Sequence, residues 1–198
     1  MQAKVLPVRE TAMAEASRLV RAGGLLVYPT DTVYGLGCDP FNEAAVARLF
    51  EAKGRESKPI PVLCDCLESA AGLGSITGAA YELARRHWPG GLTIVVEAKR
   101  KLPFRVDQGS GEVGVRVPAL GSCVELIRRS GGFLTGTSAN LSGRPSCRSA
   151  VDAFGQLGDR VDLVLDGGFL EGVESTVVRV RGDDVEVLRR GAVEVAGH

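Results

Sequence analysis

No stretch of this 198-residue chain is apolar for long enough to cross a membrane as a helix. The longest largely apolar runs, LTIVV from Leu92 and VDLVL from Val161, are strand-sized, against the ~20 residues a spanning helix needs. The amino terminus, MQAKVLPVRE, has no apolar h-region, so no secretory signal is predicted and a cytoplasmic location is expected. Histidine is scarce, with only His87 and His198, and the five cysteines (Cys38, Cys64, Cys66, Cys123 and Cys147) are scattered and odd in number. That pattern suits reduced thiols better than a disulfide framework. It also leaves Cys64-Asp65-Cys66 without the second ligand pair of a zinc site, so no zinc is expected. Formal charge is zero, with 24 basic against 24 acidic residues, which gives no general pull towards nucleic acid.

Several catalytic signatures are missing as well. The chain has no G-x-x-x-x-G-K-[ST], no G-x-S-x-G, no H-E-x-x-H and no S-x-x-K. GSGEVG, from Gly109 to Gly114, matches G-x-G-x-x-G, but VRVP follows directly where a dinucleotide fold would open a helix.

What is present is the composition of a folded, soluble protein, 44% apolar and 24% charged. The periodicity predicts a helix from Thr11 to Ala22 with a Gly23-Gly24 stop, then the strand LLVYPT. Asn42 is placed to cap EAAVARLFEAK, and Gly54 to end it. IPVLC reads as a short buried strand. Thr77 is placed to cap a helix through AAYELARRHW, which Pro89-Gly90-Gly91 ends, and LTIVVE is a strand. A loop from Lys99 to Glu112 leads to the strand VGVRVP. Ser122 and Glu125 have capping-box spacing for the helix CVELIRRS. A helix from about Ser149 to Leu157 and the strands VDLVLD, STVVRV and VEVLRR complete the chain. Helices and strands mix without strict alternation, which predicts a single α/β (α+β) domain over residues 1–198 with a mixed sheet and flanking helices.

Polar, glycine-interrupted segments fall where strands end. YPTDTVYGLG carries Thr30, Asp31 and Thr32. TGTSANLSGRPS carries Thr135, Thr137, Ser138, Asn140, Ser142 and Ser146, a composition that also suits a long capped turn. Lys53, Arg55, Lys58, Arg116 and Arg189 are cations from separate parts of the chain. Converging on a hydroxyl-rich loop, they would form a triphosphate site without a phosphate loop, since guanidinium forks and ammonium groups match phosphate oxygens.

YPTDTVYGLG, KGR followed by KP, WPGGLT, VGVRVP, TSANLSG, ESTVV and VLRRG occur in the order and approximate spacing of the YrdC-like threonylcarbamoyl-AMP synthases. The chain resembles that family from roughly Ala14 to Val193. The resemblance implies a twisted open mixed sheet with a concave, positively charged surface, and, since the chain ends soon after VLRRG, the short single-domain form. It implies that L-threonine, bicarbonate and ATP are converted to threonylcarbamoyl-AMP and pyrophosphate. The product feeds a tRNA-modifying transferase that acts on the adenosine beside the anticodon. Tests of RNA binding would then concern tRNA or double-stranded RNA. Magnesium would arrive with ATP, and no prosthetic group is required.

By motif, Thr32, Arg116 and Ser175 match threonine-holding positions, with Arg116 on the carboxylate. Arg55, Ser138, Ser146 and Arg189 match ATP-holding positions, and Lys53, Lys58 and Asn140 are expected to line the same site. Lys53 and Arg55 are the expected catalytic cations. Two features depart from the family pattern. Only Glu56 and Ser57 separate Arg55 from Lys58 where relatives usually have three residues, and Leu63 stands where many relatives carry a His. Two other readings use the same features: a non-catalytic RNA-binding module, and a carbamoyl-transfer domain of the kind found in hydrogenase-maturation proteins.

Overall fold

The computed structural model describes residues 2–54 and 58–195. In chain order its elements are β1 (Lys4–Pro7), α1 (Glu10–Arg21), β2 (Leu26–Tyr28), β3 (Gly35–Gly37), α2 (Glu43–Lys53), β4 (Val62–Cys64), α3 (Leu67–Leu73), α4 (Gly78–His87) and β5 (Leu92–Glu97). They continue with α5 (Phe104–Asp107), β6 (Glu112–Arg116), α6 (Gly121–Arg129), β7 (Phe133–Thr135), β8 (Thr137–Ser138), α7 (Ala150–Leu157), β9 (Leu163–Asp166), β10 (Thr176–Arg181) and β11 (Asp184–Arg189).

The strands form two mixed sheets, one ordered β1-β9-β2-β3-β8 and the other β11-β10-β5-β6-β4-β7. Parallel pairing joins β1 and β2 to β9, β5 to β10 and β4 to β6; the other neighbours run antiparallel. The chain steps from one sheet to the other at Gly136, which separates β7 from β8 and donates its N–H to the Pro61 carbonyl at 2.7 Å. At the same joint Thr135 receives the Tyr28 hydroxyl on its carbonyl and the Cys38 N–H on Oγ1.

Local chemistry fixes the helices that carry the site. Asn42 accepts the Ala45 N–H at 3.1 Å, and Gly54 ends α2 in the left-handed region at φ 60°, where a side chain would be strained. Ser149 caps α7 in the same way through Asp152 N–H. Two predicted caps are corrected. The Thr77 hydroxyl makes no cap bond, and α6 begins at Gly121 after Leu120, so Ser122 lies inside it. Glu125 binds Arg128 and Arg129 along α6 instead of closing a capping box, because residues three and four apart share one helix face.

The predicted Lys99–Glu112 loop contains the short helix α5, held by a bond from Ile60 N–H to the Val106 carbonyl. Neither β3 nor β1 is predicted. The GLG of β3 has no strand propensity but is paired on both sides. The larger core lies around α2, α7, β5 and the strands about them. A second cluster joins Ala12, Met13, Ala16 and Val20 of α1 to Cys123, Leu126 and Ile127 of α6.

Candidate active site

A cavity of about 410 Å³ opens between the sheets. Its walls come from alternate residues on the strands of one sheet (Thr93 and Val95, Gly114 and Arg116, Val177 and Arg179), and from Tyr28, Gly35 and Ser138 of the other. Thr30, Thr32, Lys58, Glu174, Ser175, Leu188 and Arg189 complete the polar and apolar lining used below.

Arg116 is 5% exposed and fully engaged at its inner edge. Its Nε donates to the Gly90 carbonyl at 2.8 Å, Nη1 to Thr32 Oγ1 at 3.1 Å and Nη2 to Asp31 at 2.6 Å. A guanidinium carries five N–H groups, so two remain for a ligand carboxylate. The hydroxyl inventory around it is also settled. Thr30 gives its only hydroxyl hydrogen to the Val33 carbonyl, so across the 3.0 Å contact Thr32 donates to Thr30 and accepts from Arg116. Just before β10, Ser175 Oγ lies 2.9 Å from Thr93 Oγ1 and receives Arg189 Nη2 at 3.1 Å. The three expected threonine-holding residues, Thr32, Arg116 and Ser175, therefore line one cavity.

The expected ATP-holding residues divide. Lys58, Ser138 and Arg189 are on the cavity wall. Ser146 is reached through Glu174, whose carboxylate takes the Ser146 hydroxyl on one oxygen and Arg189 Nη1 on the other, the latter at 2.6 Å. Lys53 and Asn140 do not line the cavity; they lie behind it, at 3% and 7% exposure. Lys53 Nζ donates to the Ser138 carbonyl at 2.5 Å and the Asn140 carbonyl at 2.8 Å. The Asn140 amide donates to Leu141 and Arg144 carbonyls, and its oxygen accepts from Ser138 Oγ. Both side chains thus shape the loop after β8 from behind. Arg55 lies outside the described residues.

Sequence reasoning missed Glu174 and the apolar face made by Val95, Val177 and Leu188. The signal for the face was the period of two in β5 and β10; for Glu174 it was adjacency to Ser175. Leu63 sits on the cavity wall as an apolar residue, under Gly136. Gly109 to Gly114 forms a turn into β6, with no helix following.

No thiol is activated in this region. Burial pushes Cys38 up to about 12 and Cys147 up to about 11, and raises Cys64 and Cys123 further. Among the described residues there is no group of three or more His, Cys, Asp or Glu side chains that could hold a metal ion, and no helix long and apolar enough to cross a membrane.

The arrangement is an α/β protein whose inter-sheet cavity is lined by arginine side chains and hydroxyls. The family model Sua5/YciO/YrdC, described as "Telomere recombination", matches residues 18–191, and the chain belongs to this family. A Mycobacterium tuberculosis relative is 40% identical over 188 residues, covering 93% of this chain and 86% of its own length. The threonylcarbamoyl-AMP synthase of Thiobacillus denitrificans is 40% identical over 160 residues, 79% of this chain and 84% of that protein. The crystal structure of Pyrococcus abyssi Sua5 complexed with L-threonine has a TM-score of 0.91 and 35% identity; the match covers 96% of this chain but 58% of that longer one.

Proposed function

We propose that the chain is a threonylcarbamoyl-AMP synthase, a nucleotidyltransferase that joins L-threonine, bicarbonate and ATP to give threonylcarbamoyl-AMP and pyrophosphate. The observation that carries this reading is the convergence of Thr32, Arg116, Ser175 and Arg189 on one cavity in a chain of this family.

The chemistry asks little of the protein by way of a nucleophile. The threonine amine attacks the carbon of bicarbonate, or of the carbon dioxide it releases, and forms a carbamate, the amine proton leaving with a bicarbonate oxygen as water. A carbamate oxygen attacks the α-phosphorus of ATP, the bond to the bridging oxygen breaks, and pyrophosphate leaves with that electron pair. What remains for the protein is to orient the reactants and offset charge on the phosphates. In this reading Arg116 receives the threonine carboxylate on its two remaining N–H groups, with the Thr32 and Ser175 hydroxyls beside it. Arg189, Ser146, Lys58 and Arg55 receive the phosphates, and Ser138 meets another part of ATP. Lys53 holds the Ser138 carbonyl from behind, and the Asn140 amide oxygen takes the Ser138 hydroxyl hydrogen, leaving the Ser138 oxygen to accept from a hydroxyl of the nucleotide. Magnesium enters on ATP as part of the substrate. The product is a mixed anhydride that a tRNA-modifying transferase consumes, in a chain working as one domain in the cytoplasm.

The deciding experiment is pyrophosphate release by the purified chain with ATP, bicarbonate and threonine. Release that depends on threonine, with threonylcarbamoyl-AMP found by mass spectrometry, supports the reading. Release stimulated by carbamoyl phosphate and indifferent to threonine overturns it in favour of a carbamoyl-transfer domain.

A further inference from the structure

The cation at the outer wall of the cavity is already paired with an anion of the protein. Glu174 reaches across the mouth between two separate parts of the chain. One oxygen takes the hydroxyl of Ser146, from the segment between β8 and α7, and the other takes Arg189 Nη1, at the end of β11, at 2.6 Å. These are the two groups that the proposed function assigns to the nucleotide phosphates. A carboxylate that takes a serine hydroxyl on one oxygen and a guanidinium N–H on the other has the charge and acceptor pattern of a phosphate face.

The backbone and side chain of Glu174 differ in their freedom. Its carbonyl accepts the Ala192 N–H at 2.9 Å, and a β-carbon on Gly191 would lie 2.2 Å from that carbonyl oxygen, so the main chain is tightly packed. The side chain is 37% exposed and faces solvent and cavity together. A rotation about its own bonds is enough to vacate Arg189, with no movement of the segment.

Resting on the proposed function, we infer that Glu174 is an internal stand-in for a phosphate, which the nucleotide must displace and which thereby weakens nucleotide binding. The remainder of the Arg189 fork is held independently: Nε and Nη2 donate to the Ser175 carbonyl at 3.1 and 2.8 Å. Loss of the Glu174 carboxylate therefore leaves Arg189 aimed into the cavity. An ordinary bracing residue would have the opposite effect when removed.

The test is calorimetric titration of ATP, without threonine or bicarbonate, into the wild-type chain, Glu174→Gln, Glu174→Asp and Arg189→Ala, with and without magnesium. If the paired state outweighs the open one by about ten to one, Glu174→Gln binds ATP about tenfold more tightly, since apparent affinity scales with the competent fraction. Glu174→Asp, too short to span both partners, also binds more tightly than wild type, and decides the matter should Glu174→Gln fold poorly. Unchanged or weaker binding in both variants overturns the inference. So does weakening confined to magnesium-containing samples, which would make Glu174 a ligand of the nucleotide's metal. Failure of the parent reading looks different. Arg189→Ala would then bind ATP as well as wild type, or ATP would bind with no threonine-dependent pyrophosphate release.

Discussion

At the scale of single residues, the cavity holds arginine side chains fixed by neutral and acidic partners. Arg116 spends three of its donors on Gly90, Thr32 and Asp31 and so points its remaining edge in one direction. Lysine at that position would keep a charge and lose the fork. In Arg116→Lys, KM for threonine is expected to rise about tenfold or more, as for loss of a charge-assisted hydrogen bond. The dissociation constant for ATP alone stays near the wild-type value. A kinetic series in threonine, paired with ATP titration, checks both, and a rise confined to ATP would move the carboxylate site elsewhere. Arg116 was legible in the sequence because VGVRVP is an ordered motif. Glu174 was legible only as the first residue of ESTVV beside Ser175: its pairing comes from Ser146 and Arg189, 28 and 15 residues away, which no local pattern encodes.

At the scale of elements, α2 and the loop after β8 form one assembly. Lys53 is the last residue of α2, where its charge also suits the helix C-terminus, and its ammonium ties the carbonyls of Ser138 and Asn140. The expectation that it lines the ATP site gives way to this placement because two carbonyls hold the ammonium behind the loop. Lys53→Met would leave those carbonyls buried without a charged donor. A stability loss of about 3 kcal/mol is expected, from the cost of unpaired buried polar groups. It should appear as a lower denaturant midpoint with an unchanged slope. Asn42→Ala, which removes only the N-cap at the other end of α2, should cost about 1 kcal/mol. If the Lys53 variant matched wild-type stability, its ammonium would not be a structural tie. The bounds of α2 were readable in the sequence because Asn42 and Gly54 are cap residues with local effects. The Ser122-Glu125 spacing misled because residues three apart are also neighbours within a helix, and Glu125 found Arg128 and Arg129 there.

At the scale of the molecule, the mixed α/β class followed from the order of elements, but the division into two sheets did not. It depends on pairings between distant segments, β1 with β9 and β10 with β5, which periodicity does not encode. The larger core makes the two sheets one body, taking Val27, Leu36 and Val164 from one and Val62, Ile94 and Val115 from the other, and the seam between α1 and α6 joins them a second time. Helix α1 packs on β2 and β9 of one sheet, α6 on β4 and β7 of the other, and their apolar faces share one cluster. Far-UV and near-UV dichroism should therefore report a single coincident unfolding transition; two separated transitions would mean that the sheets belong to independent units. Arg129 of α6 ties the outer rim of the seam, donating to Glu10 of α1 and to Glu125 of its own helix. Hydrogen bonds from Arg129 hold both carboxyls below their ordinary value of 4.5. A carboxyl lowered in the folded state adds stability above its unfolded value, and loses it as pH falls through the folded one. The contribution of this rim is thus present at neutral pH and disappears on acidification below about 4.5. Arg129→Ala should lower the neutral-pH melting temperature slightly, as exposed pairs contribute little, and the gap to wild type should close as pH falls from 5 to 3. A gap that persists at low pH would assign Arg129 a packing role, its aliphatic stem covering the apolar cluster beneath.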